Sequence, residues 1–211
     1  MYMLNEHSNT DILIGTRNPY KAGEMEYLLE GIPNVNICFL KDTDIDLNIE
    51  EDGKSLTENA QKKAIEISKH TDMYVLASDG GVDIPGLGDK WDILRNQRIV
   101  GHDNTDLEKA NELLLLMNGL KGEQRKVEYH LAVALAFNGK IVWSGEDITD
   151  RGYIVEKLVD ENIPSGFWMG HIWYYPKYNQ ISTRISKEEQ IENRELEDGL
   201  KKRLRNCITS T

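Results

Sequence analysis

Two hydrophobic periods alternate along this chain, and each marks a different kind of element. Ile12-Leu13-Ile14-Gly15 is an unbroken apolar run, so Asp11 to Gly15 reads as a buried strand. Tyr20 to Leu29 places Met25, Leu28 and Leu29 on one face and reads as a helix. Val35 to Leu40 alternates as a second strand, and the acidic stretch Asp42 to Asp52 reads as a loop. A helix follows from Ser55 to Lys69, with Ser55 and Glu58 at capping-box spacing and Ala60, Ala64, Ile65 and Ile67 at apolar positions. Met73 to Ala77 predicts a short apolar strand that stops at Ser78-Asp79-Gly80-Gly81, and Thr105-Asp106 precedes a helix through Met117. Val127 to Phe137 and Lys140 to Ser144 flank Asn138-Gly139, a strong hairpin signal, and a further strand from Gly152 to Glu156 would extend that meander. Pro164 to Tyr178, rich in glycine and aromatics, reads as a functional or packing loop, and Lys187 to Arg205 as a charged helical segment on the surface.

Alternating helix and strand patterns place the chain in the α/β or mixed class, and 211 residues suffice for one domain, 1–211, with a core that needs no staple. A net charge of −11 and a pI near 5.0 argue against nucleic acid or anionic membrane as a partner and favour small-molecule work. Cys38 and Cys207 are far apart in sequence and read as structural thiols of a reducing, cytoplasmic protein. Met1 to Thr10 is polar without a signal core, and the longest apolar run, Leu113 to Met117, is too short to span a bilayer.

The candidate chemistry sits where apolar strands end. Thr16-Arg17-Asn18-Pro19-Tyr20-Lys21 joins a strand to a helix start, where backbone N–H groups, the helix dipole and a lysine can hold phosphate. Glu50-Glu51-Asp52 with Lys63 downstream, and Ser78-Asp79-Gly80-Gly81, are the two other polar elements so placed. In an α/β sheet the carboxyl ends of strands converge on one crevice. Glu51 and Asp79 would suit a hard divalent cation, while Asn18, Lys21 and Lys63 would orient a polyphosphate. Such a metal polarises a phosphoryl group and lowers the pKa of an attacking water, with a carboxylate as general base. Each residue also has an ordinary reading. The acidic triplet reads as a solvated loop, Asp79 as a turn residue, Lys63 as a surface charge and Glu58 as a helix cap.

Thr16-x-Asn18-x-x-Lys21, Glu51-Asp52-Gly53 followed by Thr57-Glu58-Asn59-Ala60-x-x-Lys63-Ala64, and Ala77-Ser78-Asp79-Gly80-Gly81 resemble, in order and spacing, the inosine triphosphate pyrophosphatase family. The resemblance runs on through Leu87-Gly88, Arg98-x-x-Gly101, Thr105-Asp106, Gly166-Phe167, Pro176-x-Tyr178 and Ile185 to Glu189, and so covers nearly the whole chain. It implies an elongated α/β fold, a central mixed sheet flanked by helices with two lobes around a deep cleft, and a homodimer. It also implies magnesium-dependent cleavage, with manganese as a substitute, of a nucleoside triphosphate to the monophosphate and pyrophosphate. Carried over by position, Thr16, Asn18, Lys21 and Lys63 would hold phosphates, Glu51 would ligate metal, and Asp79 would ligate metal or activate water. Asp79 and Lys21 are thus the candidate catalytic residues, and Arg98 matches a recurrent arginine of open role.

The base end departs from the family pattern. Where the family follows Gly-Phe with Gly, an aromatic residue, Asp and Pro, this chain has Trp168, Met169, Gly170 and His171. A lysine and a Ser-His-Arg triplet near the family's C-terminus are replaced by Gln190 and by Arg194-Glu195-Leu196. Ser78 stands for a usual Asp, and Gly80 for a usual hydroxyl residue. Phe167, Trp168, His171 and Arg194 are the candidate base contacts, and the expected specificity is shifted from the usual deaminated purines. Turnover of a pyrimidine or modified nucleotide by the same chemistry, or nucleotide binding with little turnover, are the alternative readings.

Overall fold

The computed structural model describes residues 9–95, 99–101, 103–159, 168–194 and 198–210. Its seven strands, β1 (Thr10–Ile14), β2 (Val35–Phe39), β3 (Tyr74–Asp83), β4 (Lys126–Phe137), β5 (Lys140–Ile154), β6 (Trp173–Tyr175) and β7 (Gln180–Ile181), form one sheet in the order β2-β1-β3-β4-β5-β6-β7. β1 is parallel to β2 and β3, whereas β6 is antiparallel to β5 and β7, so the sheet is mixed and the α/β class holds. Five helices accompany it among the described residues: α1 (Pro19–Leu29), α2 (Leu56–Ser68), α3 (Asp106–Leu116), α4 (Lys187–Arg194) and α5 (Asp198–Thr209). No helix among the described residues is long and apolar enough to cross a membrane.

Local chemistry explains the element ends. Pro19 opens α1 behind Asn18, and Ser55 Oγ accepts from Glu58 N to open α2. Thr105 and Glu108 close a reciprocal capping box on α3. Asn138 and Gly139, both at positive φ (48° and 72°), make the two-residue turn between β4 and β5.

Four expectations change. β3 does not stop at Ala77 but continues to Asp83: Gly80 and Gly81 lack the positive φ of a turn, and Gly81 serves close approach instead. A Cβ on Gly81 would lie 2.5 Å from the Ile93 carbonyl oxygen. The strand expected from Gly152 to Glu156 is the end of the continuous β5. The described part of the aromatic segment, from Trp168, is a short 3-10 turn and β6 rather than a loop, and its Trp168, Met169, Trp173 and Tyr175 are buried. The charged C-terminal segment is two helices, and α5 packs on α1 with Leu200 and Leu204 fully buried, four residues apart on one face.

The chain divides into two compact units, one of Met1–Gly80, Leu131–Asp147 and Glu197–Thr211, the other of Gly81–His130 and Ile148–Leu196. In the first, Leu13, Leu40, Ile67 and Val75 form a core cluster over which Ile45, Leu47 and Ile49 pack. Those three apolar residues alternate with exposed Asp44, Asp46, Asn48 and Glu50, so the acidic loop is an extended tape laid on the core.

The second unit has a larger core containing Trp91, Leu113, Met117, Trp168 and Trp173. Beside it, the buried Arg125 guanidinium donates to the carbonyls of Met117 (2.9 Å), Leu120 (3.2 Å), Ile154 (2.7 Å) and Val155 (2.5 Å), tying the segment after α3 to the end of β5. Arg125→Met should destabilise the protein by about 3 kcal/mol in denaturant unfolding, because it leaves buried carbonyls unpaired. Asp150, pushed up to about 6 mainly by burial, accepts from Tyr175 Oη (2.5 Å), Arg151 N (2.7 Å) and Asn193 Nδ2 (3.2 Å). A raised carboxyl pKa means that the folded state holds the proton longer, so this contribution is full below pH 4 and is lost as pH rises towards 6. Unfolding free energy measured against pH should fall by about 2–3 kcal/mol across that window from Asp150, and Asp150→Asn should remove the slope.

Candidate functional site

The order β2-β1-β3 reverses direction at β1: the chain passes from β1 through α1 to one neighbour, then through α2 to the other. Such a switch point leaves a crevice at the carboxyl ends of the two central parallel strands. Ile14 registers with Leu76, and Gly15 N donates to Leu76 O at 2.8 Å, so the loop leaving β1 emerges beside the Ala77–Asp79 stretch of β3. Gly15 is needed for that fit, since a Cβ there would lie 3.0–3.3 Å from Ile67, Val75 and Ala77.

Asp79 is the centre of what gathers there. Its residue is 5 % exposed, and both carboxylate oxygens are engaged. Oδ2 accepts from Asn59 Nδ2 at 3.0 Å, while Oδ1 lies 3.2 Å from Lys63 Nζ and 3.6 Å from Lys21 Nζ. Lys63 Nζ also donates to Glu51 Oε1 at 2.8 Å. Four sequence candidates, Lys21, Glu51, Lys63 and Asp79, are therefore in direct contact. Asn59 and Lys63 are four apart on α2 and so share a face.

The phosphate-loop candidates are organised around the start of α1. Asn18 Oδ1 accepts from Tyr20 N (2.9 Å) and Lys21 N (3.5 Å), and Thr16 Oγ1 accepts from Asn18 N (3.2 Å). Two N–H groups of the first helical turn are thus taken by the cap, while the Lys21 ammonium lies against Asp79. Arg17 reaches away to the acidic tape, donating to Ile45 O (2.7 Å) and Asp46 Oδ1 (3.3 Å).

The base-end candidates belong to the second unit. Trp168 is buried in its core, and His171 is buried with Nδ1 lacking a hydrogen-bond partner among the described residues. Phe167 and Arg98 lie outside the described residues, as does the side chain of Arg194.

Two features escaped the sequence reading. Asn59 Oδ1 accepts from Gly53 N at 2.8 Å, so one carboxamide links the end of the acidic tape to Asp79. Its signal was a carboxamide inside a helix, one turn before a candidate lysine. In the second unit, Asp83, Glu128 and His130 offer ligand atoms within 4.8 Å of one another, and the even spacing of Glu128 and His130 on β4 marks a shared face. Glu128 there lies 3.0 Å from Lys126 and 3.2 Å from Arg151, which hold its carboxyl below the usual range.

The family model described as the Ham1 family matches residues 12–196. A dITP/XTP pyrophosphatase of Clostridium perfringens is 29% identical over 186 residues, 84% of this chain and 87% of that protein. One from Geobacillus kaustophilus is 30% identical over 180 residues, 85% of each. Among solved structures, a HAM1 protein from Coxiella burnetii superposes with a TM-score of 0.76 at 23% identity, covering 96% of this chain and 100% of that one. A nucleoside-triphosphatase, dITP/XTP pyrophosphatase, from Mycobacterium abscessus gives 0.66 at 25% identity, covering 96% and 98%.

Asn59→Ala should cost about 2–4 kcal/mol in urea unfolding, since it strands the Gly53 N–H and one oxygen of a buried carboxylate. Thr57→Val, which removes an exposed bond to Glu146 from the same helix, should cost less than about 1 kcal/mol.

Proposed function

The chain belongs to the Ham1 family, and from that premise we propose that it hydrolyses a nucleoside triphosphate between the α and β phosphorus atoms, giving the monophosphate and pyrophosphate. The observation that carries this reading is the meeting of two ammoniums and two carboxylates, Lys21, Lys63, Glu51 and Asp79, at the β1–β3 switch point. The activity named for the Clostridium and Geobacillus relatives supports it.

In this reading Lys21 and Lys63, with Thr16 and the Asn18 carboxamide, bind phosphate oxygens and hold the triphosphate in line for attack. Glu51 and Asp79 would hold magnesium, or manganese in its place. Their fit is supported by Lys63 Nζ, a single cationic group within 3.2 Å of an oxygen from each, and both are the hard oxygen donors that such an ion prefers. When bound, the metal supplies neutralisation of charge on the phosphoryl oxygens. Asp79 would ligate that metal or, as the alternative, act as general base: a carboxylate oxygen then takes a proton from a water molecule as the water oxygen bonds to the α-phosphorus and the bond from that phosphorus to the α,β-bridging oxygen breaks. Lys21 and Lys63 stabilise the charge on the departing pyrophosphate.

For the base, Phe167 and Trp168 are the aromatic candidates, and His171 and Arg194 the polar ones. His171 has spare hydrogen-bonding capacity at Nδ1. Trp168, His171 and Arg194 stand where the family pattern has other groups, and in this reading the base preference is shifted from deaminated purines.

Pyrophosphate release from a panel of ordinary, deaminated and modified nucleoside triphosphates, with magnesium or manganese, tests the reading. At least one substrate should turn over, and Asp79→Asn and Lys21→Met should each lower kcat/KM by about 100-fold or more. No pyrophosphate from any substrate would overturn it. Tight binding without hydrolysis, unaffected by Asp79→Asn, would instead mark a nucleotide-binding protein.

A further inference from the structure

Glu51 and Asp79 lie close enough to share one cation, and in the free chain that cation is the ε-ammonium of Lys63, 2.8 Å from Glu51 Oε1 and 3.2 Å from Asp79 Oδ1. Lys21 Nζ stands 3.6 Å from the same Asp79 oxygen. Asn59 occupies Oδ2, so the oxygen left for any incoming cation is the one facing both ammoniums. We propose that Lys63 is an internal counter-cation that keeps a divalent ion off the Glu51–Asp79 pair until a polyphosphate is present, so that metal and phosphate chain enter as one complex. This rests on the assignment of Glu51 and Asp79 as metal ligands.

Two carboxylates and two ammoniums leave the free site neutral. A bare divalent ion would therefore add positive charge beside two cations. The Lys63 and Asp79 side chains are only 13% and 7% exposed, so solvent screens that repulsion poorly. Lys63 could step aside only by giving up both carboxylates, and a largely buried ammonium without a partner is costly. A triphosphate changes the balance. Its oxygens offer Lys63 and Lys21 new partners, and the flexible four-carbon lysine stem lets the ammonium move without moving α2. Each ligand then favours the other, and their binding is positively coupled. Glu51, about half exposed, is the carboxylate with freedom to follow.

The test is a Mn2+ titration of the full chain without nucleotide, reading free Mn2+ by electron paramagnetic resonance. Lys63→Met keeps the stem and removes the charge, and should tighten Mn2+ binding about tenfold or more over the unaltered protein. Lys63→Gln should shift affinity in the same direction, and thermal unfolding checks that both variants are folded. Lys62→Met, next along the helix but paired with Asp52 at 2.6 Å, should change affinity by less than about twofold. Unchanged or weaker Mn2+ binding in the Lys63 variants, or an equal gain in Lys62→Met, would overturn the proposal. Failure of the pyrophosphatase reading shows separately, as absence of pyrophosphate release by the unaltered protein.

Discussion

A carboxylate almost closed off from water is stable as an anion only if the protein supplies what water would have given, and Asp79 sets that demand on the first unit. Asn59 answers with a hydrogen bond on one oxygen, and Lys63 and Lys21 with charge on the other. Those three residues come from α1 and α2, so the capping of each helix and the packing of its apolar face decide where the donors stand. The tape carrying Glu51 is drawn into the same arrangement through Gly53 and Asn59. Helix starts, sheet order and loop path thus converge on one buried charge.

How much of this was readable in the sequence varied with the physics involved. Local signals carried well: the apolar periods of α1 and α2, the Ser55 cap and the Asn138-Gly139 turn all appear within a residue or two of where the pattern put them. Gly81 misled because glycine signals a turn and a close backbone approach with the same letter, and only the neighbouring Ile93 carbonyl separates the two. The burial of Leu200 and Leu204 was masked by the charged residues between them, since charge density along a segment says little about the one face that is covered. The side-chain cluster was legible in its members but not in its wiring. That Asn59 would link Gly53 to Asp79 depends on tertiary geometry that no spacing encodes.

The two units divide the candidate chemistry. Residues proposed for phosphate and metal lie in the first, on a framework of parallel strands and capped helices, while Trp168 and His171 lie in the second, in and beside an aromatic core. Family resemblance is strong in the first set and broken in the second. Charge recognition by lysine and carboxylate tolerates little substitution, because each partner compensates another. An aromatic core admits exchange of one large apolar residue for another at smaller cost. Trp168 is buried in that core and is also one of the proposed base contacts.

Along the acidic tape from Thr43 to Gly53 the inward residues recur at every second position, and Gly53 meets Asn59 so closely that a Cβ would lie 2.6 Å from Oδ1. A segment pinned at both a repeat and an end behaves as a ruler. Gaining or losing a single residue between Ile45 and Glu51 would invert its inward and outward faces, whereas the outward positions Asp44, Asp46 and Asn48 are free of that constraint. Sequence change in this stretch should therefore accumulate as substitutions on one parity of position, with its length held fixed.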